Sequence, residues 1–362
     1  MNILTSGYWN SNLGDDLFLK ILSERYPSHN FFIISGSKAF QSFNGIPNIK
    51  KVRIPFRIKL KNKLYQKLDI STEKLLSKFE IGILNQFDLY CELGGSLFIL
   101  PQEGIGTKYW LRNKIVLSGL PYFVIGSNFG PYFSEGQVQK YHELFAKMTG
   151  ISLRDRNSYK LFSDLPNVDY APDLVFNLNV KEPPVLGKYT LISIINPESR
   201  FDHETSEKYY QLIANIITDL LNKQEQVVLM SFCEAEGDLI AAKKIKKMFN
   251  NISQIEVFNH TNINESLKKI NGADKIIATR YHSMILGWLM GKPTFVLSYS
   301  KKINNVISDL FPAQPFINIS QIDLDNFKLS FAVNNQIDSI VQEAQQQFKF
   351  LDRFFEYGET NE

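Results

Sequence analysis

Residues 275–293 read KIIATRYHSMILGWLMGKP, and this run decides the fold class. Lys275–Ala278 has the length and branching of a buried strand. Ser283–Met290 is an apolar helix, and only a short turn separates the two. A strand that passes directly into an apolar helix is half of a βαβ unit. Buried strands of this kind belong to parallel sheets covered on both faces. Arg280 and His282 lie in the turn, two residues apart. In an extended segment they are expected to project to the same side. They also stand at a helix N-terminus, where free N–H groups and the dipole favour an anion. Arg280 can grip a carboxylate or phosphate with two hydrogen bonds. His282 titrates near neutral pH and can move a proton.

The same alternation extends outward. Strands are expected at Thr190–Ile195, Val227–Phe232 and Ile255–Phe258, with helices at Glu204–Leu221, Asp238–Phe249 and Ile263–Ile270; Thr294–Leu297 closes the series. An earlier series has strand candidates at Asn2–Ser6, Phe31–Ser35, Asp88–Cys91, Tyr122–Ile125 and Val168–Ala171. Pro183, Pro184 and Gly187 read as the linker between the series. The expected architecture is α/β, with two Rossmann-like doubly wound lobes at residues 1–182 and 188–330. Ile337, Ile340, Val341, Ala344, Phe348, Leu351 and Phe355 recur at spacings of three and four. That spacing predicts a C-terminal helix within 331–357 that packs back across the first lobe. The ligand site is expected between the lobes, at the carboxyl ends of the strands.

Composition narrows the function. The 362 residues are 44% hydrophobic, enough for two cores. A formal charge of only +3 argues against a nucleic-acid binder. Cys91 and Cys233 stand alone in apolar runs, so neither a disulfide nor a metal site is expected. The first residues, MNILTSGYWN, lack a signal-peptide pattern. No run approaches the roughly 18 apolar residues that span a bilayer. A cytoplasmic protein is therefore expected. The dinucleotide fingerprint is missing, which argues against hydride transfer.

Other loops can contribute chemistry. In GYWNSNLGDDL, residues 7–17, a first strand enters a loop with Asn12 and Gly14, where glycine lets a ligand approach the backbone. Asp15 and Asp16 open a helix there. They are either plain N-caps or carboxylates that face the cleft, bind a sugar hydroxyl and act as base. Gly94, Gly95 and Ser96, with Asn128 after the next strand, supply small residues whose backbone N–H groups can point into the cleft. Arg154, in SLRDRNS at 152–158, can complete an anion site opposite Arg280, or form only a surface ion pair. Tyr299 and Lys302 follow the strand next to the Arg-Tyr-His unit and are expected near the same mouth. His29, His142, His203 and His260 have no partner in sequence and read as incidental.

One segment departs from neutrality. Residues 50–78 contain ten Lys or Arg against Asp69 and Glu73, interleaved with Ile54, Phe56, Ile58, Leu60, Leu64 and Leu68. This is either a solvated basic face or a surface that meets anionic headgroups or a pyrophosphate-linked acceptor.

In order and spacing, GYWNSNLGDDL, ELGGSLF, GSNFGP, SLRDRNS, APDLVF and ADKIIATRYHSMILGWLMGKPTFVLSYSKK resemble the polysaccharide pyruvyl transferase family across residues 7–302. The resemblance implies a GT-B-like fold with the acceptor on the first lobe and the donor on the second. It implies transfer of pyruvate from phosphoenolpyruvate onto two sugar hydroxyls, with no cofactor. The glycan acceptor would be free or lipid-linked, and the enzyme cytoplasmic or peripheral at the inner membrane face through residues 50–78. His282 and Arg280 are then expected to be catalytic, with Asp15 or Asp16 activating the acceptor. Arg154, Lys302, Tyr299, Tyr281 and Ser283 would line the substrate site with Asn12, Gly14, Gly94, Gly95, Ser96 and Asn128. Tyr281 stands where the family usually has leucine, and Ala278 where it has glycine. A GT-B-type glycosyltransferase with a nucleotide-sugar donor is the alternative, though no carboxylate suited to a ribose stands near the Arg-Tyr-His turn.

Overall fold

A computed structural model describes residues 1–67, 73–180 and 187–359. The linker residues Pro183 and Pro184, and Leu68 and Asp69 of the basic segment, lie outside the described residues.

The first lobe runs β1 (Asn2–Ser6), α1 (Leu13–Arg25), β2 (Asn30–Ile33), α2 (Ser37–Phe40), β3 (Ile49–Lys51), α3 (Phe56–Lys67), α4 (Glu73–Gly82) and β4 (Leu89–Leu93). It continues with α5 (Thr107–Leu117), β5 (Tyr122–Ser127), α6 (Glu135–Phe145), β6 (Gly150–Leu153), α7 (Arg156–Lys160) and β7 (Val168–Tyr170). Its strands form one parallel sheet in the order β3-β2-β1-β4-β5-β6-β7.

The second lobe runs β8 (Tyr189–Ile194), α8 (His203–Asn222), β9 (Gln226–Ser231), α9 (Asp238–Met248), β10 (Ile255–Asn259) and α10 (Ile263–Asn271). Then come β11 (Lys275–Ala278), α11 (Tyr281–Leu289), β12 (Thr294–Ser298), α12 (Lys301–Leu310) and β13 (Phe316–Asn318). Its sheet is also parallel, ordered β10-β9-β8-β11-β12-β13. Each expected strand is present within a residue or two. The short β3, β6 and β13 were not expected; Ile-Lys-Lys and Phe-Ile-Asn hold no continuous apolar run, and Gly150–Leu153 opens on glycine.

The lobes share no sheet, yet they share a core. Leu13, Leu17 and Phe18 of α1 pack in one cluster with Ile263 of α10 and Met284, Ile285 and Trp288 of α11. Separate clusters cover the outer faces of the two sheets. Backbone pairing adds to the seam: Leu13 N–H donates to the Phe232 carbonyl at 3.1 Å.

The C-terminal helix is broken. α13 (Ile337–Ala344) and α14 (Lys349–Glu359) flank a tighter 3-10 turn at Gln345–Phe348. Gln347 explains the break. Its buried amide donates to the carbonyls of Ala171 and Pro172 at 2.8 and 3.0 Å and accepts from Gly126 N–H at 3.0 Å. Three orphan backbone groups at the carboxyl edge of the first sheet are satisfied by one side chain. The segment does pack back on the first lobe, but helix begins only at Ile337. Ala332 before it pairs with Thr294 of β12.

Buried Glu92 on β4 serves the sheet's outer layer. Its carboxylate accepts from Arg112 Nε and Nη2 at 2.9 and 2.7 Å and from the Tyr122 hydroxyl at 2.6 Å. Arg112 also stacks on Phe98.

Candidate functional site

A cavity of about 790 Å³ opens between the lobes at the carboxyl ends of both sheets. Its wall includes Asn12, Asp15, Gly95, Ser96 and Arg154 from the first lobe and Arg280, Tyr281, His282, Tyr299 and Lys302 from the second. Ten of the expected site residues therefore converge.

α11 starts at Tyr281, two residues earlier than the sequence suggested. This changes the directions of its side chains. Arg280 is the extended N-cap and His282 already sits in the helix, so the two diverge instead of sharing a side. Arg280 turns toward α9. Its Nε donates to Asp238 at 2.9 Å, its Nη2 bonds the other Asp238 oxygen, and its Nη1 donates to Glu236 at 2.6 Å. Arg200 shares Glu236 at 2.6 Å and lies over the Tyr299 ring. The Arg280 charge is thus matched inside the protein.

His282 turns the other way, across the seam. Its ring lies edge-on to Phe18 and rests on the start of α1. A Cβ added at Gly14 would meet His282 Nδ1 at 1.7 Å, so this position needs glycine. Gly14 accommodates the imidazole, not a ligand as expected. His282 Nε2 stands 3.8 Å from Asp173 Oδ2.

Buried Asp173 also accepts from Arg154 Nη1 at 2.7 Å. Arg154 Nη2 reaches Asn128 Oδ1 at 3.2 Å, and its guanidinium faces the Tyr281 ring at 4.6 Å. Gly95 makes room for it: a Cβ there would sit 2.1 Å from Nη2. Lys302 completes the group. Its Nζ donates to Ser96 Oγ across the cleft at 3.2 Å and lies 4.5 Å from the centre of the Tyr281 ring. The hydroxyl of Tyr281 has no hydrogen-bond partner among the described residues.

Burial and mutual charge set the protonation states. Burial alone would raise the Asp173 carboxyl, but Arg154 and His282 overcome it and hold it well below the usual range. Burial lowers His282 below the ordinary histidine value, and Arg154 and Lys302 add to the effect while Asp173 opposes it. Burial and then Arg154 bring Lys302 down to about 7. Asp15 is pushed up to about 7 by burial and by Asp16, against Arg154 and Lys302. Groups titrating near neutrality around one cavity are suited to proton transfer.

Several expected residues fall elsewhere. Asp16 is fully buried and pairs with His260 Nε2 at 3.0 Å, away from the cavity; Ser266 holds the other ring nitrogen at 2.8 Å. His260 is therefore not incidental but ties the lobes together. Neither aspartate is the N-cap: Asn12 caps α1 by accepting from Gly14 N–H. Ser283 is buried on the inner side of α11, and Gly94 and Asn128 stand behind the wall, the latter holding Arg154. Asp173 was missed as a site residue. Its signal was an acid embedded in the apolar run APDLVF, where an unpaired charge would be costly.

The sequence profile described as Polysaccharide pyruvyl transferase matches residues 12–301. The amylovoran biosynthesis protein AmsJ of Erwinia amylovora is 22% identical over 256 residues, which are 63% of this chain and 60% of AmsJ. The fold is similar to that of UDP-GlcNAc 2-epimerase from Methanocaldococcus jannaschii, with a TM-score of 0.55, 10% identity and coverage of 98% of this chain and 100% of that one. A putative UDP-N-acetylglucosamine 2-epimerase from Listeria monocytogenes gives 0.56 at 9% identity, covering 96% and 87%. Anabaena Alr3699/HepE, solved with UDP and glucose, gives 0.52 at 10%, covering 99% of each chain. At such identities these structures establish the two-lobed GT-B-like fold alone. With a profile match over most of its length and the matching motifs gathered at one inter-lobe cavity, the chain belongs to the polysaccharide pyruvyl transferase family.

Proposed function

We propose that this protein transfers pyruvate from phosphoenolpyruvate onto two hydroxyls of one sugar in a cell-surface or exopolysaccharide, forming a ketal and releasing phosphate. The observation that carries this reading is the set Arg154, Lys302 and His282, brought from both lobes to one cavity beside Asp173 and Asp15; with the three bases protonated and Asp15 neutral, the set holds more cation than carboxylate. A donor with a carboxylate and a phosphate suits that excess. The donor then bridges both lobes, and does not sit on the second lobe alone.

In the chemistry, C3 of the enol gains a proton and C2 becomes electrophilic. A sugar hydroxyl adds to C2 and the C–O bond to phosphate breaks. A second hydroxyl closes the ketal. Of the two hydroxyl protons, one balances the proton added to C3 and the other leaves with phosphate. His282 supplies the proton to C3. Burial keeps it neutral in the free protein, and an incoming anion beside it favours the imidazolium. Asp15, half ionised near neutrality, accepts a proton from the attacking hydroxyl. Arg154 and Lys302 hold the anionic groups. Arg280, already matched by Asp238 and Glu236, shapes the wall that meets the acceptor, with Arg200 and Tyr299.

The test is phosphate release from phosphoenolpyruvate across a panel of glycosides. Acceptor-dependent release by wild type, lost in His282→Ala, is the expected result. Stabilisation by nucleoside diphosphates but not by phosphoenolpyruvate would replace this reading with a nucleotide-sugar glycosyltransferase.

A further inference from the structure

Helix α3 follows the edge strand of the first sheet and carries an unusual surface. From Lys50 through Lys67 the chain has eight Lys or Arg and no Asp or Glu, although the whole protein carries only +3. Ile58 and Tyr65, seven residues apart on one face, are partly buried. The opposite side presents Phe56, Leu60 and Leu64, which recur every four residues and are 77%, 57% and 52% exposed. Arg57, Lys59 and Lys61 are exposed on the flanks of that stripe, with Arg53 just before the helix.

Three large apolar side chains in a row on an exposed face mark a contact surface. The chemistry of the contact follows from its flanks. Apolar residues among cations, with no acid, match the boundary of an anionic bilayer. There the apolar groups enter the headgroup–acyl boundary and the cations meet lipid phosphates. Twelve helical residues give a footprint roughly 18 Å long. A second copy of the chain suits this face poorly, because a symmetric contact would oppose cation to cation.

We infer that α3 seats the protein on an anionic lipid surface through Phe56, Leu60 and Leu64, with Arg57, Lys59 and Lys61 against the headgroups. This inference is independent of the donor chemistry and stands or falls separately.

The experiment is co-sedimentation of the full chain with vesicles of phosphatidylcholine alone and of phosphatidylcholine mixed with phosphatidylglycerol. Binding to the anionic vesicles is expected to exceed binding to neutral ones at least about tenfold, and to fall sharply at about 0.5 M salt as screening shortens the electrostatic reach. Two variants are compared after their melting temperatures are shown to equal wild type: Phe56→Ser/Leu60→Ser/Leu64→Ser and Arg57→Gln/Lys59→Gln/Lys61→Gln. With each cation contributing about fivefold, the second should bind about a hundredfold more weakly. Equal binding to both vesicle types, or unaltered binding by both variants, overturns the assignment. A concentration-dependent dimer that the serine variant abolishes, without vesicle binding by wild type, would give the face to a second copy instead.

Discussion

Two arginine–carboxylate clusters flank Tyr281, and they differ in how their charge is balanced. On one side Arg280 and Arg200 meet Asp238 and Glu236, two cations for two carboxylates. On the other, Asp173 bonds Arg154 and faces His282, while Lys302 and Asp15, both titrating near 7, stand beside them. A matched cluster is a wall. One whose groups titrate near neutrality can take up protons as an anion arrives. The residues that separate the two are a strand end and one turn of helix, so a similar sequence pattern yields opposite electrostatics according to which loops come to meet it. The second lobe supplies Glu236 and Asp238 to Arg280 from the end of the β9–α9 loop and the start of α9, whereas the first lobe brings Asp173, Arg154 and Asp15 to the side of His282.

That contrast can be broken by substitution. The largest expected effect is His282→Ala, which should lower kcat by roughly 100- to 10,000-fold while circular dichroism and melting temperature stay near wild type. A variant that turns over normally would remove His282 from the chemistry. Asp173→Ala comes next. It leaves Arg154 buried without its partner and should cost about 3–5 kcal/mol in urea unfolding. Glu236→Gln, whose arginine keeps Asp238, should cost less than about 1 kcal/mol. Equal losses would mean that the two clusters do not differ as described.

The pH dependence sharpens the comparison further. Lys302 loses its proton near 7 in the free protein, and a bound anion raises that value. Donor affinity should therefore be intact below pH 7 and fall above it, by up to about tenfold per pH unit, read as a rising KM for phosphoenolpyruvate. Lys302→Arg should flatten the slope. The smallest effect is expected from Glu236→Gln on the donor, a KM within about twofold of wild type, because the matched side does not hold the anion.

The strand–helix alternation was legible because parallel strands buried on both faces write continuous apolar runs, as at Lys275–Ala278 and Val227–Phe232. Three strands escaped it, among them β3, whose sequence Ile-Lys-Lys has no apolar run. Ten of the expected residues line one cavity because loops at strand ends face it. What sequence withheld were pairings between distant positions. Asp16 and His260 are 244 residues apart and each alone looks ordinary. Asp173 sat in a quoted motif, but its role depends on Arg154 and His282 arriving from elsewhere. The direction of Arg280 turned on where α11 begins, a boundary that differs by two residues from its apolar pattern.

The C-terminal segment has a consequence for how the molecule is made. Phe348, Leu351 and Phe355 pack in the same core as Ile3, Phe31 and Phe123, and Gln347 closes the edge of the first sheet. During vectorial synthesis the first lobe emerges from the ribosome early, yet the residues that complete its inner face emerge only after the second lobe. It must wait, partly uncovered, through translation of the entire second lobe. A nascent chain stalled before residue 345 should therefore be more open to protease and chaperone than its length suggests, and release of the last turns should convert it to the resistant form.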